Sequence, residues 1–132
     1  MTTIAYIVTY LLARSEGKDD AQRIANGERI DHAAEWTERA GMVGITCVSL
    51  YLISPWAGIL DLLLSMLGCA MLFAFVHRLT LNKLRGLDWR YISPSNLYDS
   101  FFLRLSKEDV NKGGMLAYAV EAMLCIACWV LA

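Results

Sequence analysis

His32, Glu35 and Arg39 recur at i, i+3 and i+7, so on a helix an imidazole, a carboxylate and a guanidinium share one face. Arg78, Asn82 and Arg85 follow at i, i+4 and i+7, with His77 one residue round the surface. Brought together at the mouth of two helices, such groups have two uses. They can bind a headgroup-sized polar substrate and move a proton, which is the chemistry of a small membrane enzyme. Alternatively, Glu28 and Glu35 pair with Arg78 and Arg85 as a clasp. The clasp is the expected role, and no catalytic assignment follows from spacing alone. His32 with Glu28 or Glu35 is the only combination of histidine and carboxylate at helical ligand spacing, so neither a metal nor a cofactor is expected.

Two carboxylates, Asp61 and Glu121, stand inside apolar runs, where a charge is costly and often functional. Neither has a Lys or Arg at helical spacing within its own run. Asp61 is under two turns from Pro55 and reaches the membrane border. Glu121 lies deeper: a protonated carboxyl, an acceptor for Tyr118, Thr46 or Ser49, and a step in a proton path are the readings open to it. Cys47, Cys69, Cys125 and Cys128 also fall in apolar runs, and the Cys125/Cys128 pair has no basic neighbour to favour a thiolate. They read as small packing residues, as do Gly41, Gly44, Gly58, Ser65, Gly68 and Ala70. No nucleophile triad, phosphate-binding glycine loop or catalytic carboxylate pair is present.

The elements that must position these residues follow from the distribution of charge. The chain has 132 residues, 57% hydrophobic and 19% charged, against roughly 45–50% and about 25% in soluble domains. That balance excludes disorder, and a net charge of −1 gives no bulk attraction for nucleic acid. Four stretches are nearly free of charge: residues 1–13, 40–53, 55–76 and 114–132. As a helix, 55–76 spans roughly 33 Å and matches a bilayer core. Residues 114–132 just suffice to cross. The two shorter runs cross only if Arg14 and Arg39 reach from their ends to the headgroups. No basic run precedes residues 1–13 and no cleavage site follows, so they are read as structure rather than a signal peptide.

All twelve Lys and Arg fall in residues 14–39 and 77–113, five in the first and seven in the second. With four crossings both connections lie on one side, and the positive-inside rule makes that side the cytoplasm. The expected architecture is therefore all-α and polytopic: one domain, residues 1–132, of about four membrane-embedded helices with both termini outside. Locally, Ser15, Gly17 and Asn26-Gly27 mark turns, and a helix restarts after Gly27 and runs from Glu28 to Ile53. Ser54 and Pro55 cap the second arm of a central antiparallel hairpin, which continues through Arg85 and stops at Gly86. Ser93 and Pro94 open an amphipathic interfacial helix, 95–105, with Leu97, Tyr98, Phe101, Phe102 and Leu105 along one side. Ser106 and Asp109 form a capping box, and Gly113-Gly114 loosens the entry to the last span.

Ile30-Asp31-His32, Arg39, the stretch 73–75 to Asn82, Leu84-Arg85-Gly86, Trp89, Tyr91-Ile92, Ser93 to Ser95 and Asp99 together resemble a group of small integral membrane proteins from bacterial and phage genomes. The resemblance covers roughly residues 28–100. Asp31 replaces the amide usual in that group, and the last span lies outside its pattern. The resemblance implies a membrane location and no activity. The expected role is structural or interactive in a bacterial inner membrane, with the lipid bilayer, a second copy or a larger membrane complex as partner and no nucleic acid. The alternatives are the headgroup-modifying enzyme and a phage holin-like pore former.

Overall fold

The structure, a computed structural model, describes residues 2–28, 32–53, 58–93 and 97–132, with the backbone alone for 32–34, 36 and 97. It is all-helical: α1 (Thr2–Ala25), α2 (His32–Ile53), α3 (Ile59–Leu84), α4 (Leu97–Leu105) and α5 (Val110–Leu131). The middle helix, α3, packs most extensively against α1 and α5. α1 runs alongside α3 in the same direction: Thr2 meets Ser65, Tyr6 covers Gly68, and Gly17 lies against Thr80. α5 runs the opposite way, with Glu121 at Arg78 and Cys128 at Gly68.

The expected break after residue 13 is absent, because α1 continues unbroken through Arg14, Ser15 and Gly17 to Ala25. Gly17 serves close approach rather than a turn. A Cβ there would sit 3.0 Å from both the His77 carbonyl oxygen and Thr80 Cβ, so only hydrogen lets α1 rest on α3 at this level. The turn comes at Gly27, which takes φ +79° and closes a Schellman motif: Glu28 N–H donates to Arg23 O and Gly27 N–H to Ile24 O. Glu28 therefore lies in the turn rather than in the second helix. Gly86 stops α3 as the sequence predicts, by the same device, with φ +66°. α4 ends likewise but with Lys107 and Glu108 at positive φ, a conformation that costs an L side chain energy.

The Ser54-Pro55 turn falls outside the described residues, as do Ile30, Asp31, Pro94 and Ser95. α3 starts at Ile59, after the extended residue Gly58, and the Asp61 carboxylate accepts from the Gly58 N–H at 2.8 Å. In α4 the expected single apolar side divides. Phe102 is buried with Leu103 against Ile92 and Ala117, whereas Phe101 and Leu105 face outward. Asp109, not Ser106, caps α5 by accepting from Lys112 N–H at 3.1 Å. Gly113 and Gly114 lie buried within that helix, and a Cβ on Gly114 would overlap the Arg90 carbonyl. They draw the 86–93 segment onto α5 rather than loosening it.

Among the described residues, α3 and α5 are the helices long and apolar enough to cross a membrane. Only 33% and 28% of their apolar windows is buried within the chain. Ile59, Leu60, Leu63 and Leu67 of α3 and Met123, Ile126, Val130 and Leu131 of α5 face outward.

Candidate functional site

His77 and Arg78 are neighbours on α3, and one residue turns a helix by about 100°. Their side chains consequently enter two different networks. His77 faces α1, where α2 joins it through Arg39; Arg78 faces α4 and α5.

The first network gathers around Asp20 of α1, which is buried. Asp20 Oδ2 lies 2.8 Å from His77 Nε2 and 2.5 Å from Arg39 Nη2. Arg39 also donates to Glu35 one turn earlier at 3.1 Å and to Glu16 at 3.5 Å. Arg23 donates to Glu35 at 2.5 Å and to Glu28 at 3.3 Å, and its guanidinium is 3.8 Å from Asp20. His77 stacks on Phe73, with ring centroids 5.7 Å apart. Burial by itself would push the Asp20 carboxyl up, but the His77 hydrogen bond and the Arg39 charge outweigh it and hold the group below the usual carboxylate range. Two guanidiniums thus serve four carboxylates.

The second network is closed, with Arg78, Asp99 and Glu121 all buried. Arg78 donates to Asp99 of α4 at 3.0 Å and to Glu121 of α5 at 3.1 Å, and its other Glu121 oxygen contact is 3.0 Å. The rings of Tyr118 and Tyr98 lie 5.2 and 5.7 Å from the guanidinium. Asp99 reaches back with its second oxygen to accept from Ser93 N–H at 2.9 Å, tying the entry of α4 to the same charge. One turn beyond Arg78, the buried Asn82 amide donates to the Trp89 and Tyr91 carbonyls at 3.2 and 2.7 Å.

The residues singled out by spacing are thus divided. Glu35, Arg39 and His77 meet, through Asp20. The His32 side chain lies outside the described residues. Arg78 and Asn82 belong to the α4 and α5 side, and Arg85 is exposed. The expected pairing of Glu28 and Glu35 with Arg78 and Arg85 does not form: the continued α1 brings Arg23 to both glutamates, and α4 and α5 supply the acids for Arg78. Glu121 takes Arg78 as its partner, while the Thr46 hydroxyl donates to Met42 O within its own helix. Spacing missed Asp20, Arg23, Glu16 and Asp99. The first three follow i, i+4 and i+7 and become visible once residues 14–25 are read as helix; Asp99 offered no such signal.

Among the described residues, no group of three or more His, Cys, Asp or Glu side chains is placed to hold a metal ion. Among the described residues, Glu35, Arg39, His77, Arg78 and Glu121 are engaged in the two networks, a pattern that stabilises helix packing. Comparisons with protein-family models, curated proteins and solved structures match nothing, so the family resemblance of residues 28–100 assigns no role to these networks.

Proposed function

We propose that the chain is a small integral protein of a bacterial inner membrane with a structural or interaction role, its two ionic networks serving as internal clasps. The observation that carries this reading is the inverted placement of polarity. Long apolar faces on α3 and α5 point outward, while charges that soluble proteins expose are buried between helices. A soluble core helix hides its apolar surface. In lipid that surface is already in its preferred solvent, and the packing energy must come from close contacts and from paired polar groups.

In this reading the apolar stretches of α1 and α2 are submerged beside α3 and α5, with α2 and α3 forming the antiparallel hairpin. The charged ends then protrude into the cytoplasm, and the termini face the other side. The carboxylates and cations nearest to a catalytic set are committed to Asp20, Arg39 and Arg78, which favours the clasp over the enzyme. The test is alkaline carbonate extraction of membranes containing the full chain, followed by thiol labelling of Thr3→Cys and Lys18→Cys variants in a chain whose four native cysteines are replaced by Ala. Retention in the pellet, with the Lys18→Cys variant labelled only after permeabilisation, is expected. Release into the soluble fraction would refute the membrane reading, and labelling of the Lys18→Cys variant from outside would reverse the orientation.

A further inference from the structure

The α3 end, the 86–93 segment, α4 and the start of α5 are bound together at one end of the bundle through Asn82, Arg78 and the contact of Gly114 with Arg90. Seven cations lie in this region. Three are committed: Arg78 to Asp99 and Glu121, Lys112 to Asp109, and Arg90 to Asp88, whose carboxyl it lowers to about 2 through two bonds of 2.9 and 2.7 Å. Lys83, Arg85, Arg104 and Lys107 are exposed and have no acidic partner among the described residues. Beside them in the chain stand Leu84, Trp89, Phe101 and Leu105, each more than half exposed. Among the described residues of this region, Glu108 is the one acid without a cation. The charged half of α1 and α2 differs, since exposed Arg14 and Lys18 are balanced there by exposed Asp19 and Glu38.

We propose that this end of the bundle is a docking surface for the headgroups of anionic phospholipids in the membrane that holds the protein. Lys83, Arg85, Arg104 and Lys107 engage the phosphates, while Leu84, Trp89, Phe101 and Leu105 enter the acyl boundary. The inference rests on the membrane reading above and adds the lipid class. Unpaired cations and exposed rings answer each other in this one environment: an aromatic ring is favoured at the headgroup level, and an anionic leaflet attracts each nearby Lys or Arg. A second protein would demand a matching acidic surface, whereas the phosphates are present wherever the apolar helices are inserted.

The experiment uses the full chain with Trp36, Trp56 and Trp129 replaced by Phe, reconstituted in vesicles containing brominated phosphatidylglycerol or brominated phosphatidylcholine at equal mole fraction. Trp89 fluorescence is expected to be quenched several-fold more strongly by the anionic lipid, with the difference shrinking at high salt. K83Q/R85Q/R104Q/K107Q removes the difference but keeps the quenching by phosphatidylcholine, and R14Q/K18Q retains it. Equal quenching by both lipids in the parent overturns the proposal, as does a loss of preference in R14Q/K18Q equal to that in the quadruple variant. Failure of the membrane reading is distinguishable, because carbonate would then release the chain from both kinds of vesicle.

Discussion

The networks around Asp20 and Arg78 begin one residue apart on α3 and solve the burial of charge differently. Around Asp20 the outer members keep contact with water: the side chains of Arg23, Glu28 and Glu16 retain 40%, 52% and 31% of their exposure, so a surplus of carboxylates is tolerated. Around Arg78 the side chains of Arg78, Asp99 and Glu121 retain 11%, 7% and 0%. The first network can lose a member and let water or a second arginine take its place. The second has no such reserve, because an unpaired charge in a sealed site bears its full desolvation cost.

Removing the single cation of the sealed site is the severest test. Arg78→Met is expected to destabilise the fold by about 3–5 kcal/mol, measured by thermal or denaturant unfolding in detergent, because Asp99 and Glu121 are left facing each other. The combined R78M/D99N/E121L protein should recover most of that loss, since it removes the charges together. Recovery no better than in the single variant would show that the guanidinium contributes packing or cation–π energy rather than charge balance.

In the water-edged network the corresponding change should be milder. Arg39→Met is expected to cost about 2 kcal/mol, less than Arg78→Met, because Arg23 remains on Glu35 and near Asp20. A loss equal to that of Arg78→Met would erase the distinction between the two sites.

Acid should separate them further. Asp20 is held below its ordinary range in the folded chain, so folding favours its ionised form. That contribution is fully present above about pH 4 and is lost as pH falls through the lower folded value. The melting temperature of the parent should therefore drop below pH 4. Asp20→Asn should be less stable than the parent at neutral pH and show a shallower acid limb; an unchanged limb would remove Asp20 from its cause. The smallest effect is expected from His77→Gln, whose amide can still donate to Asp20, at less than about 1 kcal/mol in the same melting measurement. A larger loss would make the imidazole itself, through its charge or its stack on Phe73, a principal member of the clasp.

Much of the helical layout was legible in particular residues. Gly86 ended its helix as read, because a left-handed residue after a helix is a local requirement that glycine meets by itself. Glu35 and Arg39 share one helical face as their spacing implied, but Glu35 pairs with Arg39 and Arg23 rather than with Arg78 or Arg85. Gly17 and Gly114 were misread for one reason: a glycine needed for close approach looks in sequence like a glycine needed for a turn. The misreading of Gly17 hid the helical face carrying Glu16, Asp20 and Arg23. The partners of Arg78 were then unreachable, since Asp99 and Glu121 lie 21 and 43 residues away on helices whose relative rotation no local pattern encodes.

By itself the amino-acid sequence determined that the chain is helical, that its apolar stretches are separated from its charges, and that every Lys and Arg lies in two stretches. These are properties of single segments, set by hydropathy and by backbone preference. Which carboxylate meets which cation was decided only by tertiary structure. α1 extends one side of α3 and delivers Asp20 to His77 and Arg39, while α4 and α5 close the other around Arg78. Charge pairing is a matter of a few ångströms and of burial, and both are fixed by how helices pack rather than by what each one contains.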